Sequence, residues 1–276
     1  MLCPRYCHLE RNHTGKCSVR TNLEGRLWSM VYSRPMLRYV DRVEKTPLFH
    51  FHPGSIGFFT GTWGNNLYHR LLHGPNHMGS PTRKQSLSPK IGPVELVQEA
   101  VGFDCANIIY TCSEPAVSWE YTLDTAREAK RHQLRNIMVT NGYMTPPALN
   151  QAVSVMHAAR FNLWAGTEEF YANFFRASLS PVLESLSTLR EQNIWVEVTT
   201  LLTPGVNDKK RELEAIASFL AETDRETPWH IAKQSQSSQG KPGNKKVLSD
   251  KLFLARKIGL EAGLKHIHLA DTGWSV

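Results

Sequence analysis

Asn107-Ile-Ile-Tyr-Thr111, a helical pattern over Val117 to Gln133, and Asn136-Ile-Met-Val-Thr140 form the stretch whose reading decides the fold. Both short runs are apolar without alternation, as strands covered on both faces should be. A helix of ten or more residues between them implies a parallel, right-handed crossover. The pattern repeats outward. Upstream, Ser55-Ile-Gly-Phe-Phe-Thr60 reads as a first buried strand and Val94 to Val101 as a helix. Downstream, helix Pro147 to Met156 precedes strand Arg160-Phe-Asn-Leu163, and helix Pro181 to Glu191 precedes Ile194 to Leu201. Helix Lys209 to Ala221 then precedes Pro228-Trp-His-Ile231, and helix Ser249 to Ala262 precedes His266 to Leu269. Six or seven such strands fall one or two short of a closed eight-stranded barrel, so the expected class is α/β, an open partial barrel.

The 276 residues carry a net charge of +7. Lys and Arg are scattered, apart from Lys241 to Lys257, and are not interleaved with aromatics; this argues against a nucleic-acid groove. The charge favours acidic small molecules or carrier surfaces over acidic repulsion, but its scatter reads more simply as an ordinary solvated surface. No apolar run approaches the roughly eighteen residues of a membrane span, and Met-Leu-Cys-Pro-Arg-Tyr-Cys lacks the basic-then-apolar design of a signal peptide. The expected setting is cytoplasmic, without membrane contact. Five cysteines, three of them at Cys3, Cys7 and Cys17, do not read as a secreted disulfide framework. Those three form a Gly-punctuated knuckle that can share a structural zinc, with His8 or His13 as a further ligand, or stand as free thiols. Residues 1–52 are read as this Cys-containing extension and residues 53–276 as the barrel.

Polar residues collect where the strands end. They are Asn65 and Asn66 after the first, Ser113 and Glu114 after the second, Asn141 after the third, and Trp164, Glu168 and Glu169 after the fourth. Thr199 to Asn207 surround the end of the fifth strand, and His230 lies in the sixth. Singly, Ser-Glu-Pro caps a helix, Asn-Gly turns a chain and a strand histidine sits in a core. Together, such ends converge on one mouth in a parallel barrel, which points to an enzyme.

Several segments resemble the radical S-adenosylmethionine (SAM) enzymes, in the branch of pyruvate formate-lyase activating enzymes and the radical SAM member of the AmmeMemoRadiSam system. The segments are Cys3-Pro-Arg-Tyr-Cys7 with Gly15-Lys-Cys17-Ser-Val-Arg20, Tyr110-Thr-Cys-Ser-Glu-Pro115, Val139-Thr-Asn-Gly-Tyr143, Trp195-Val-Glu-Val-Thr-Thr-Leu201, Thr203-Pro-Gly-Val-Asn-Asp208 and Pro228-Trp-His230. The resemblance implies a partial (β/α)6 barrel with a SAM pocket at its open mouth. Carried over by position, Glu114, beside Ser113, receives the SAM amino group, where a carboxylate suits an ammonium. Asn141 falls near the ribose and carboxylate, Thr199 and Pro204 line the adenosine, and His230 stands beside the adenine.

The departures set the expected chemistry. Where the family has Gly-Cys-Asn-Phe-x-Cys-x-Phe-Cys, this chain has Gly64-Asn-Asn-Leu-Tyr-His-Arg-Leu-Leu72, so the cluster cysteines fall on Asn65, His69 and Leu72. The family's Asp-Leu-Lys after the fourth strand is Asn162-Leu163-Trp164. A [4Fe–4S] cluster needs thiolates, so none is expected. His69, His73 and His77 have a metal-like spacing, but Gly74-Pro75 would break the helix that aligns them. The expected function is polar chemistry on SAM: alkyl transfer to a small-molecule or carrier-bound acceptor, or cleavage or cyclisation of the aminocarboxypropyl arm with release of methylthioadenosine, as a lyase or transferase. Asn65, Tyr68 and His69 are the candidate catalytic contacts, with Tyr68 or His69 as base. Cys112, beside Glu114, is either a nucleophile or a space-filling thiol. The alternatives are a non-catalytic SAM-binding or scaffold relic, and a radical enzyme with atypical cluster ligation.

Overall fold

The computed structural model describes residues 2–67, 89–233 and 245–270. The N-terminal segment turns into a short hairpin, β1 (Arg20–Leu23) and β2 (Arg26–Ser29), paired antiparallel. β3 (Leu37–Arg42) then pairs antiparallel with β4 (Ile56–Gly61). From there the chain builds a parallel sheet in sequence order: β4, β5 (Asn107–Tyr110), β6 (Arg135–Thr140), β7 (Ala158–Asn162), β8 (Trp195–Leu202), β9 (Trp229–Lys233) and β10 (Ile267–Ala270). The helices are α1 (Pro93–Gly102), α2 (Trp119–Arg131), α3 (Pro146–Val155), α4 (Ser180–Glu191), α5 (Lys210–Thr223) and α6 (Lys245–Glu261). Each strand–helix–strand unit is the parallel crossover that the apolar runs predict.

The seven parallel strands lie within a residue or two of the runs read from the sequence. β3 is the addition. Its residues Leu-Arg-Tyr-Val-Asp-Arg are mostly exposed, so no buried run announces it. It is an edge strand, secured by its ladder to β4, by Tyr39 stacked on Phe59 at 4.7 Å and by an ion pair from Arg38 to Glu99 of α1. Residues 37–52, grouped by sequence with the extension, therefore contribute to the barrel itself. α2 starts later than the helical pattern because Pro115–Ser118 forms a 3₁₀ turn first. No helix among the described residues is long and apolar enough to cross a membrane.

Two apolar layers flank the sheet. The outer one holds Phe58, Ile108, Met138, Phe161, Val196, Val198 and Ile231 against the helices. The inner one joins Phe59, Ile109, Ile137 and Val139 to Val43 and Leu48 from the crossing between β3 and β4. Beyond Val139 the inner face turns polar. Register pairs Val139 with Arg160, Arg160 with Glu197, and Asn162 with Thr199, His230 and His268 in succession. Paired residues point to one face.

Glu197 closes the base of this open barrel. Its Oε1 accepts from the backbone N–H groups of His50 at 2.8 Å and Phe51 at 3.1 Å and from Trp195 Nε1 at 3.0 Å. Its Oε2 accepts from Phe49 N–H at 2.9 Å and His230 Nε2 at 2.7 Å. The segment thus crosses from the β3–β4 side to β8 and β9, and His50 Nε2 continues to His268 Nε2 of β10 at 2.8 Å. Burial lowers the His230 pKa, against the raising by the hydrogen bond and charge of Glu197. Burial pushes the Glu197 carboxyl up, but the hydrogen bond and charge of His230, with the hydrogen bonds from Trp195 and Phe49, outweigh it and leave the pKa below the ordinary value.

Glu197→Ala should cost about 3–5 kcal/mol in urea unfolding, since it strands a set of buried donors. A carboxyl with a depressed folded pKa contributes stability that is present above its unfolded pKa and lost as pH falls through the folded one. Glu197→Gln should therefore lose that part of the acid-side dependence; an unchanged pH–stability profile below pH 5 would rule out this role.

Candidate functional site

Glu114 is the centre of the mouth. It is 2 % exposed, and the two residues before it, Cys112 and Ser113, have φ of 54° and 140°. Such backbone is costly for side-chain-bearing residues and is a recurrent mark of functional turns. Here it turns the chain sharply off β5, held by Ser113 Oγ donating to the Thr62 carbonyl. Glu114 N–H donates to the Gly64 carbonyl at 3.1 Å, tying the second strand's loop to the first. Gly64 has φ of 106°, and a Cβ there would meet Val19 at 2.6 Å, so this approach requires glycine.

The carboxylate is clasped from β6. Oε1 accepts from Thr140 Oγ1 at 2.7 Å and from Ala116 N–H at 3.1 Å, and Oε2 accepts from Asn141 N–H at 2.8 Å. Burial nevertheless raises its pKa from 4.5 to about 7, against the lowering by the Asn141, Thr140 and Ala116 hydrogen bonds. A nearly neutralised buried carboxyl that retains an unused lone pair is suited to receive a cationic donor, which would restore its charge.

Asn141 extends the network to the first loop. Its Nδ2 donates to Asn66 Oδ1 at 2.9 Å and, more weakly, to Asn65 Oδ1 at 3.3 Å, while its Oδ1 accepts from Tyr143 N–H at 2.9 Å. Asn65 Oδ1 also accepts from Leu67 N–H at 2.8 Å, and Asn66 Nδ2 donates to the Tyr143 carbonyl at 2.8 Å. The turn at Gly142 has φ of 69° and passes over Phe161, which a Cβ would meet at 2.0 Å. Asn65 and Asn66 also line a cleft with Arg5, Lys16, Phe174 and Arg176.

Ser113, Glu114, Asn141 and Asn65 are thus brought together, as the barrel geometry predicts. Thr199 and His230 lie in the inner polar layer. Thr199 Oγ1 accepts from Arg160 Nε at 3.1 Å, and His230 stacks on His268 with centroids 4.8 Å apart. Thr199 is hydrogen-bonded to Arg160 and His230 to Glu197. Pro204 is exposed in a turn shaped by Asn207 and Asp208 accepting from Thr203 and Gly205 N–H. Tyr68 and His69, with His73 and His77, lie outside the described residues.

The knuckle reaches the same mouth. Burial raises the Cys3 pKa, against hydrogen bonding from the Arg5 backbone and the Asn66 side chain. Cys7 is exposed and Cys17 buried. Among the described residues no group of three or more His, Cys, Asp and Glu side chains is arranged to hold a metal ion, so the zinc expected at Cys3, Cys7 and Cys17 has no built cage. Cys112 is pushed up to about 11 by burial, which keeps it a thiol and supports its space-filling reading. Arg5 has no counterpart among the sequence candidates. It donates from Nε to the Asn66 carbonyl at 2.8 Å and from Nη1 and Nη2 to the Arg176 and Phe175 carbonyls, joining the N-terminal segment to the first loop and to the π-helical turn Tyr171–Phe175. Only the fold reveals it, because its partners are backbone atoms distant in sequence.

The arrangement is a radical SAM-type partial barrel. A radical SAM methyltransferase from Sphaerobacter thermophilus superposes with a TM-score of 0.57 at 14% identity, over 80% of this chain and 67% of that one. No family model matches the sequence. The uncharacterized protein MJ0808 of Methanocaldococcus jannaschii is 33% identical over 279 residues, which span 98% of this chain and 80% of that protein, and the chain belongs to its family. An isethionate sulfite-lyase activating enzyme from Oleidesulfovibrio alaskensis is 25% identical over 122 residues, covering 42% of this chain and 40% of that enzyme.

A carboxyl whose folded pKa is raised contributes stability that is full below its unfolded pKa and is lost as pH rises through the folded value. For Glu114 this window runs from about 4.5 to about 7. Between pH 5 and pH 8 the unfolding free energy of Glu114→Gln should therefore gain on that of the wild type by roughly 3 kcal/mol, read from urea titrations at each pH. Parallel pH profiles would show that the carboxyl is not perturbed.

Proposed function

We propose that this chain is a SAM-binding enzyme that uses the radical SAM fold without a [4Fe–4S] cluster and carries out polar chemistry on SAM. The observation that carries the reading is the mouth itself. A buried carboxylate fit for an ammonium, Glu114, is joined through Asn141 to Asn65, the residue at the position of the first cluster cysteine. Asn65 spends its side-chain oxygen on Leu67 and Asn141, as a structural residue does. The aligned donor set of Asn65, His69 and Leu72 does not fit an iron–sulfur cluster, because an amide and an alkyl group cannot replace thiolates, and no cysteine lies between Cys17 and Cys105.

A sulfonium makes its neighbouring carbons electrophilic without an electron donor. Breaking the bond from sulfur to the aminocarboxypropyl arm sends the electron pair to sulfur and releases methylthioadenosine. If the arm's own carboxylate forms the new carbon–oxygen bond, the other product is a lactone. Such a displacement asks the protein chiefly for orientation. Glu114 would hold the amino group, the Asn65–Asn66–Asn141 network would fix the arm, and Tyr68 or His69 would supply a base where a proton must be removed. Transfer of an alkyl group to a small-molecule or carrier-bound acceptor uses the same site. The basic residues Arg5, Lys16 and Arg176 along the adjoining cleft suit an acidic acceptor.

Incubation of the protein with SAM, in air and without oxygen, should release methylthioadenosine at equal rates, or S-adenosylhomocysteine when an acceptor is supplied. 5′-Deoxyadenosine together with stoichiometric iron and sulfide would overturn the reading, and intact SAM bound tightly in every test would favour a non-catalytic role. Glu114→Gln should weaken SAM binding roughly tenfold or more in calorimetry through loss of a charge-assisted contact.

A further inference from the structure

We propose that Arg160 anchors a carboxylate-binding site inside the barrel, one strand layer beneath the Glu114–Asn141 network. Arg160 lies at the middle of β7, is 1 % exposed and is among the largest fully buried side chains of the described residues. A buried guanidinium ordinarily has a counter-charge. The obvious one is Glu197, its partner across the β7–β8 ladder. Glu197 is already committed to the N–H groups of Phe49, His50 and Phe51, to Trp195 and to His230. Arg160 turns away from it. Nε donates to Thr199 Oγ1 at 3.1 Å, and Nη2 has no hydrogen-bond partner among the described residues.

The direction of that turn is set by register. Thr199 pairs with Asn162, two residues further along β7 than Arg160, so the bond to Thr199 draws the side chain toward the C-terminal mouth. On the other side Arg160 pairs with Val139, and Asn141 stands two residues beyond Val139, about 6–7 Å along the strand direction. The guanidinium therefore rises from just beneath Asn141. Burial lowers its pKa only to about 9, so it stays charged at neutral pH. Burial also lowers the pKa of His230, nearby. One cation with an unpartnered Nη2 matches a singly charged acceptor, and the planar fork of a guanidinium suits a carboxylate.

That carboxylate belongs to a second, acidic reactant held beneath the SAM site proposed above; the carboxylate of the SAM arm is the competing source. Calorimetry on the full chain separates them, with SAM, decarboxylated SAM and succinate as probes and wild type, Arg160→Met, Arg160→Lys and Glu114→Gln as proteins. If a second acid is the ligand, Arg160→Met should lose succinate binding by roughly 10- to 100-fold and bind SAM as the wild type does. Weaker SAM binding by a similar factor in Arg160→Met, with decarboxylated SAM unchanged, would give the cation to the SAM arm and overturn the proposal. Arg160→Lys keeps the charge without the fork and should fall between the two, which guards against a variant that fails to fold. Should SAM bind to none of the proteins while succinate still distinguishes wild type from Arg160→Met, the SAM reading falls and the anion site stands. If no carboxylate probe distinguishes wild type from Arg160→Met, the proposal is overturned.

Discussion

The barrel depends on the Glu197 carboxylate. An open parallel sheet has two edges and a base through which water can reach the inner face, and covering the base with irregular chain exposes backbone donors that must be satisfied. Glu197 meets this need by accepting from three successive backbone N–H groups, at Phe49, His50 and Phe51, while also receiving Trp195 and His230. One buried charge thereby ties the crossing between β3 and β4 to β8 and β9. The arrangement keeps that charge ionised in the interior, because its donors stabilise it more than burial penalises it.

This use of Glu197 has a consequence for its neighbour. A cross-strand Glu–Arg pair would normally neutralise itself, but here the glutamate is engaged from below and Arg160 is left to lean upward. The inner face is consequently graded along the strands. Apolar packing of Phe59, Ile109 and Ile137 gives way to Arg160 and Thr199, and then to Glu114, Asn141, Asn65 and Asn66 at the mouth. The two charged groups nearest the mouth are perturbed in opposite senses: burial favours the neutral form of each, raising the Glu114 carboxyl and lowering the Arg160 guanidinium. Both would be relieved by a ligand of complementary charge.

Much of the fold was legible because parallel strands buried on both faces leave uninterrupted apolar runs, and the crossover helices leave amphipathic ones. β3 was not, because an edge strand with one wet face carries charged and aromatic residues in no buried pattern. At the mouth, Glu114, Asn141 and Asn65 were legible as polar residues at strand ends, since parallel strands bring their C-terminal ends together. Arg5 was not, because it is recognised by carbonyl groups at positions 66, 175 and 176, which leave no side-chain signature. Arg160 read as the first residue of a strand; its exceptional status arises only from what its neighbours are doing.

The sequence by itself determined the parallel αβ order, the polar strand ends and the absence of cysteine between Cys17 and Cys105, because periodicity and residue chemistry are local properties. The tertiary structure alone decided which polar groups became partners. It paired Glu197 with the 49–51 backbone and His230, joined Asn141 to Asn66, and left Arg160 without a counter-ion among the described residues. The physical reason is that a hydrogen bond is made over about 3 Å in space, a distance that strand register and chain crossing set and that spacing along the chain does not.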